Sequence, residues 1–234
     1  MITAEQLADN LEYVRGAIAQ AAERANRDAQ DVTLIAVSKT VTLDLVRIAY
    51  NLGVTDFGEN RVQDALPKIA EFHPPELRWH MIGHLQSNKV SKVVGAFASV
   101  QSMDNLHLAQ ALERHADKQG MVLPVLLQVN VSGEASKEGM SAAETPELAR
   151  QIVALSHLRV EGLMTIAPLV QNPEETRPVF RQLRLLRDHL RNEIPQCEWQ
   201  HLSMGMTDDY RVAIEEGATI VRIGRAIFGE RVYT

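Results

Sequence analysis

Two residues in this sequence carry a charge where the chain is otherwise apolar. Lys39 is the last residue of the strand-like run Thr33-Leu34-Ile35-Ala36-Val37-Ser38-Lys39, and Arg222 stands within Ile220-Val221-Arg222-Ile223. Charged side chains are seldom buried unless they are paired or put to use. A lysine ammonium held against apolar walls loses hydration and its pKa falls, so the neutral amine becomes a nucleophile for a carbonyl carbon. The alternative is a lysine that snorkels to solvent from a strand end. Arginine keeps its charge, so a guanidinium inside an apolar strand must be paired or must face a ligand.

Two nearby segments have the makings of an anion site. Ser203-Met204-Gly205-Met206-Thr207-Asp208 supplies a hydroxyl, a glycine that permits close backbone approach, and a helix start. Ile223-Gly224-Arg225 supplies exposed backbone N–H groups and a cation. Read one at a time they are tight turns with small residues; as a pair they suggest a phosphate cradle. A lysine for an imine, a phosphate cradle and an inward arginine at the ring nitrogen are what pyridoxal phosphate requires. Arginine there leaves the nitrogen unprotonated and weakens the ring as an electron sink.

Other candidates are weaker. His80 and His84 have a metal-like spacing but straddle a strand end, with no cysteine or carboxylate close in sequence, so no metal is expected. Cys197, beside Pro195 in a surface loop, lacks a catalytic partner. Lys137, in the segment Ser132–Gly139, reads as a solvated residue within reach of the same mouth.

The elements that must position these residues alternate along the chain. Strand-type runs occur at Thr33–Lys39, Asp56–Asn60, Arg78–Gly83, Ala98–Met103, Pro124–Val131, Arg159–Ile166, Gln200–Gly205 and Thr219–Phe228. Helical stretches include Thr42–Leu52, Asn105–Gln119, Glu144–Ser156, Pro173–Glu193 and Asp208–Glu216, three of them closed by Gly53, Gly120 and Gly217. An extra helix at Ala4–Ala25 precedes them. About eight strands, each but the last followed by a helix, predict a parallel sheet closed as a small (β/α)8 TIM-type barrel in one domain over residues 1–234. In such a barrel the functional mouth is at the C-terminal strand ends, where the residues above lie. A doubly wound open sheet is the competing architecture, but the turn Ser38-Lys39-Thr40-Val41 lacks the glycines of a dinucleotide site.

Composition narrows the class. A net charge of -6 without a Lys/Arg block argues against nucleic acid. One cysteine excludes an internal disulfide framework, the N-terminus reads as a polar helix rather than a signal peptide, and no apolar run approaches membrane-spanning length. The expectation is a cytoplasmic protein with neither a nucleic-acid nor a membrane partner.

At these residues the chain resembles the pyridoxal phosphate homeostasis protein family, also called the YggS/PROSC family. The resemblance rests on Leu34–Lys39, Phe57–Asn60, Trp79–Lys89, Gly162–Ala167, Leu202–Met206 and Val221–Gly229, in order and at family spacing from about residue 33 onward. The family is similar to the N-terminal barrel of alanine racemase, and the resemblance implies a monomer that binds pyridoxal phosphate. By position it implies that Lys39 forms the imine, that Asn60 lies beside the cofactor and that Arg222 faces the pyridine nitrogen. Ser203, with the backbone at Gly205, Ile223 and Gly224, matches the phosphate cradle. Arg225 stands where many members have threonine, which leaves open whether it contacts the phosphate or turns outward.

The resemblance implies buffering or delivery of the cofactor, with apo forms of pyridoxal phosphate enzymes as recipients, rather than robust catalysis. Racemization needs acid/base groups on both faces of the substrate α-carbon. In the racemases the second base is a tyrosine from another domain. Here Tyr13 and Tyr50 lie in outer helices, Tyr233 in the tail, and Tyr210 at a helix start is the nearest. The alternatives are a pyridoxal phosphate-dependent amino-acid racemase or other minor enzyme, and a phosphate-binding barrel enzyme without this cofactor.

Overall fold

A computed structural model of the chain describes residues 2–134 and 137–230. Tyr233 and residues 135 and 136 lie outside the described residues. The first helix, α1 (Ala4–Arg24), starts at a capping box in which Thr3 and Gln6 satisfy each other's backbone N–H groups. Its stripe of Leu7, Leu11, Val14, Ile18 and Ala21 is buried. The strands and helices then alternate: β1 (Thr33–Val37), α2 (Leu43–Asn51), β2 (Asp56–Glu59), α3 (Val62–Glu71), β3 (Arg78–Met81), β4 (Ser99–Met103), α4 (Leu106–Lys118), β5 (Leu123–Asn130). A two-residue strand β6 (Met140–Ser141) follows, then α5 (Thr145–Val153), β7 (Leu158–Met164), α6 (Arg177–Glu193), β8 (His201–Ser203), α7 (Tyr210–Glu215), β9 (Ile220–Ile223) and α8 (Arg225–Phe228).

All pairings are parallel. The order runs β4-β3-β2-β1-β9-β8-β7-β5, and β4 also pairs with β5, so eight strands close into a barrel, with β6 added beside the end of β5. Strands buried on both faces explain the apolar runs of the sequence. The larger core lies between barrel and helices, with Phe57, Trp79, Leu127, Phe180, Leu183 and Trp199 among its members. Inside the barrel, Ile35, Leu126, Met164 and Ile220 form a small apolar plug.

Polar groups flank that plug. At the N-terminal strand ends His80 bridges Asp56 and Ser99, with both ring nitrogens at 2.8 Å from their partners. Burial resists ionisation of Asp56, but bonds from His80 and Arg78 outweigh it and hold its pKa at about 2. Arg222 lies two residues beyond Ile220 toward the other end, level with Ile35 of the plug.

The structure departs from the sequence expectation at three places. After β3 the chain makes a 3-10 helix (Ser87–Lys92) in place of an α-helix; Val90 in it and Val93, Val94 and Phe97 after it are buried, with Gly95 between them at φ +84°. The last strand ends at Ile223, and Arg225–Phe228 turns into α8 instead of continuing to Phe228. The first strand stops at Val37, so Lys39 sits two residues past it, in a turn.

Candidate functional site

Lys39 owes its place to the neighbours of β1. The Ser38 N–H donates to the Gly58 carbonyl of β2, and the Val41 N–H closes a turn on the Ser38 carbonyl at 3.0 Å. Lys39 and Thr40 occupy the middle of this turn, with Thr40 at φ +65°, a left-handed conformation that β-branched residues rarely adopt. On the other side, Gly224 packs so tightly that a Cβ there would lie 3.3 Å from the Val37 carbonyl. The half-buried Lys39 therefore stands at the C-terminal mouth, between the ends of β2 and β9.

Asn60 follows β2 directly. Its Oδ1 is buried and has no hydrogen-bond partner, an uncommon state for a polar side chain. Gly83 makes room for it: a Cβ there would lie 2.5 Å from the Asn60 carbonyl oxygen. A cavity of about 440 Å³ opens beside Asn60, lined also by His84, Lys89, Gln128 and Ile166.

Arg222 is 4% exposed and points into the barrel. It donates to Ser203 Oγ at 2.6 Å and to the Thr165 carbonyl at 2.8 Å. Ser203 passes the chain on, donating to Gln101 Oε1 at 2.7 Å. No carboxylate is in salt-bridge contact with Arg222 among the described residues. Burial pulls its pKa down to about 10, with Asp209 opposing weakly from a distance. A cation held this way, by neutral acceptors alone, remains electrostatically unsatisfied and attracts an electron-rich partner.

Ser203 was expected to offer its hydroxyl to a phosphate. In the structure the side chain is fully buried inside the barrel, its Oγ accepting from Arg222 and donating to Gln101. The reason is strand alternation, since Ser203 shares the inward face of β8 with His201. What the loop does present is backbone. Gly205 has φ +95°, and a Cβ there would lie 2.6 Å from that of Ala213. The N–H groups of Gly205 and Gly224 bond no other backbone group among the described residues. Thr207 Oγ1 ties the two loops by accepting from the Ala226 N–H at 3.4 Å.

Arg225 turns outward, pairing with both carboxylate oxygens of Asp208 and, at 3.4 Å, with Glu230. Lys137 reaches the rim, with Nζ 3.4 Å from the Ile166 carbonyl and 3.5 Å from Glu134. The two histidines separate: His80 is bound inside the barrel, while His84 is near Asp104 and Glu138 at the mouth. Burial pushes the Cys197 thiol up to about 11, the opposite of an activated nucleophile. Tyr210 is 4% exposed and packed in the outer core.

Sequence reasoning missed Gln101, Thr165, Glu59 and Lys68. Gln101 had a signal: in Ser99-Val100-Gln101-Ser102-Met103 the polar Ser99 and Gln101 recur at period two, as side chains on one face of a strand do.

The alanine racemase N-terminal domain family model matches residues 10–232. The pyridoxal phosphate homeostasis protein of Aquifex aeolicus (strain VF5) is 45% identical over 225 residues, covering 96% of this chain and 98% of the relative. The chain belongs to the pyridoxal phosphate homeostasis protein family. A second member, from Pseudomonas aeruginosa, is 44% identical over 227 residues, covering 97% and 96%. Among solved structures, PipY of Synechococcus elongatus PCC7942 with PLP bound is 37% identical at a TM-score of 0.85, covering 96% of this chain and all of that one. Alanine racemase from Corynebacterium glutamicum, 15% identical at a TM-score of 0.73, shares the fold over 97% of this chain and 62% of its own. No described helix is long and apolar enough to cross a membrane.

Proposed function

We propose that this protein binds pyridoxal 5'-phosphate through Lys39 and serves intracellular homeostasis of that cofactor. The observation that carries the assignment is Arg222, a buried guanidinium without a carboxylate, deep in a barrel whose mouth holds a lysine one strand away. Three features suit the residues to the cofactor. Arg222 offers a donor to a ring nitrogen that keeps its lone pair. The buried Asn60 Oδ1 is an acceptor without a partner. The backbone at Gly205 and Gly224 is a cradle that a Cβ would fill.

The cofactor, when bound, supplies an aldehyde and a ring able to withdraw electrons. Lys39 would hold it through its amine, Asn60 would lie beside the ring, Arg222 would donate to the ring nitrogen, and the N–H groups of Gly205, Ile223 and Gly224 would bind the phosphate. Ser203 acts through Arg222, fixing the guanidinium plane together with Gln101 and Thr165. Arg225, paired with Asp208, anchors the loop from outside.

A guanidinium at the ring nitrogen disfavours its protonation, so the ring is a weak electron sink. Tyr210 is locked in the outer core and is not placed to act as the second base of a two-base proton transfer. The reading is a monomeric carrier that buffers or delivers pyridoxal phosphate to apo-enzymes, without robust catalysis. Purified protein incubated with pyridoxal phosphate should gain an imine absorbance and, after borohydride reduction, a mass adduct on Lys39. An adduct found only on Lys137, or none, overturns the assignment. Steady racemization of alanine or serine that disappears in Lys39→Ala would show an enzyme instead.

A further inference from the structure

Beneath the Lys39 turn lies a buried ion pair to which no role has been given. Glu59, the last residue of β2, is fully buried. Its Oε1 accepts from Ser38 Oγ at 2.7 Å and from Lys68 Nζ at 2.8 Å. Lys68 extends from α3, is almost buried, and also donates to the Ser38 carbonyl at 2.8 Å. The residue that precedes Lys39 is thus gripped at its hydroxyl and at its carbonyl. That same carbonyl accepts the Val41 N–H that closes the turn. Glu59 Oε2 is buried with no hydrogen bond, so the carboxylate rests on this bracket alone.

A buried charge pair is costly to maintain and is weak evidence for stability as such. This one is spent on a turn that would otherwise relax. Thr40, at φ +65°, is in a conformation its β-branched side chain resists, and such strain persists only where the surroundings over-determine it. Releasing Ser38 would let Thr40 return toward an extended conformation and swing Lys39 away from the mouth.

We propose that Glu59 and Lys68 are positioning residues for Lys39, holding its backbone so that the amine meets the aldehyde of the bound cofactor. This rests on the proposed function. The covalent step is a condensation: Lys39 Nζ bonds the aldehyde carbon, the carbonyl oxygen leaves as water with both amine protons, and no electrons are exchanged with an outside reagent.

The test compares two ligands that differ at the reacting atom. Pyridoxal 5'-phosphate carries the aldehyde; pyridoxine 5'-phosphate carries an alcohol and reports only on the ring and phosphate contacts. In Lys68→Met the imine absorbance should grow at least about tenfold more slowly, as expected when a reacting group is misplaced, while affinity for pyridoxine phosphate stays near that of the unaltered protein. Ser38→Ala, which removes only the hydroxyl contact, should slow the condensation by a smaller factor and in the same direction. Condensation at the unaltered rate in both variants overturns the proposal. So does an equal loss for both ligands, which would make the pair a general structural element. If Lys68→Met does not fold, Ser38→Ala decides by the same two readouts. Absence of a Lys39 adduct in the unaltered protein would overturn the functional reading and this proposal together, whereas an adduct formed equally fast in the variants overturns this proposal alone.

Discussion

Replacing Arg222 with methionine separates a binding role for this residue from a structural one. Burial pulls the guanidinium's pKa well below its ordinary value, to about 10, so keeping it charged in the folded state costs on the order of 3 kcal/mol. The sign follows from proton affinity. The folded state binds this proton less tightly than the unfolded one, so the penalty is complete wherever both states are protonated, well below pH 10. It fades only as the pH rises through the folded pKa toward the unfolded one. Opposing it are two charge-assisted hydrogen bonds, to Ser203 Oγ and the Thr165 carbonyl, each worth about 1.5–3 kcal/mol. Methionine fills much of the volume and carries no charge, so it removes both effects, and the burial penalty offsets half or more of what the two bonds contribute. Ligand-free Arg222→Met should unfold in urea within about 2 kcal/mol of the unaltered protein, with a difference that does not vary between pH 6 and 9.

The ligand then makes the distinction. A ligand at one hundred times its Kd stabilises the folded state by about 2.7 kcal/mol, and the unaltered protein should gain this with pyridoxal phosphate. Arg222→Met, lacking the donor to the ring nitrogen, should lose most of that gain, with affinity down by about tenfold or more. Two results would refute the reasoning. One is a ligand-free variant destabilised by more than about 4 kcal/mol, the signature of a broken structural ion pair. The other is a variant that holds the cofactor as tightly as before.

Other perturbations test neighbouring links. Ser203→Ala leaves Arg222 Nη1 and the Gln101 amide each short of a partner, and should cost about 1–3 kcal/mol of ligand-free stability in chemical denaturation; no change would mean that buried water replaces the hydroxyl. Gly83→Ala would place a Cβ 2.5 Å from the Asn60 carbonyl oxygen, so Asn60 must shift. Calorimetry should then show weaker cofactor binding beside a stability loss of about 1–3 kcal/mol. Asp56, with its pKa held at about 2 against an ordinary 3.8, contributes on the order of 2 kcal/mol that is present above pH 4–5 and lost as the pH falls toward 2. Asp56→Asn should therefore flatten the acid limb of the stability profile, and an unchanged limb would show that another carboxylate sets it.

The sequence alone determined the order of elements and the end of the barrel at which Lys39, Asn60, Gly205 and Gly224 lie. Apolar runs such as Leu34–Val37 and Val221–Ile223 alternate with helices ended by glycine, and that pattern follows from short-range physics: backbone propensity, side-chain period and the φ > 0 demand at positions such as Gly53 and Gly217. Lys39, Asn60, Gly205 and Gly224 could be located because each sits at or just beyond a strand end, and strand ends are a one-dimensional property.

What the tertiary structure decided concerns which way side chains point and whom they meet. Ser203 was legible as a hydroxyl near a glycine, yet only the closed barrel places it between Arg222 and Gln101, which is 102 residues away in the chain. Arg225 and Asp208 are a local matter of 17 residues, but their pairing depends on the β8 and β9 loops lying side by side. The grip of Glu59 and Lys68 on Ser38 needs β1, β2 and α3 at once. Buried polar groups interact strongly and over short distances, so their partners are set by where strands from distant parts of the chain converge. The sequence of one strand cannot contain that information.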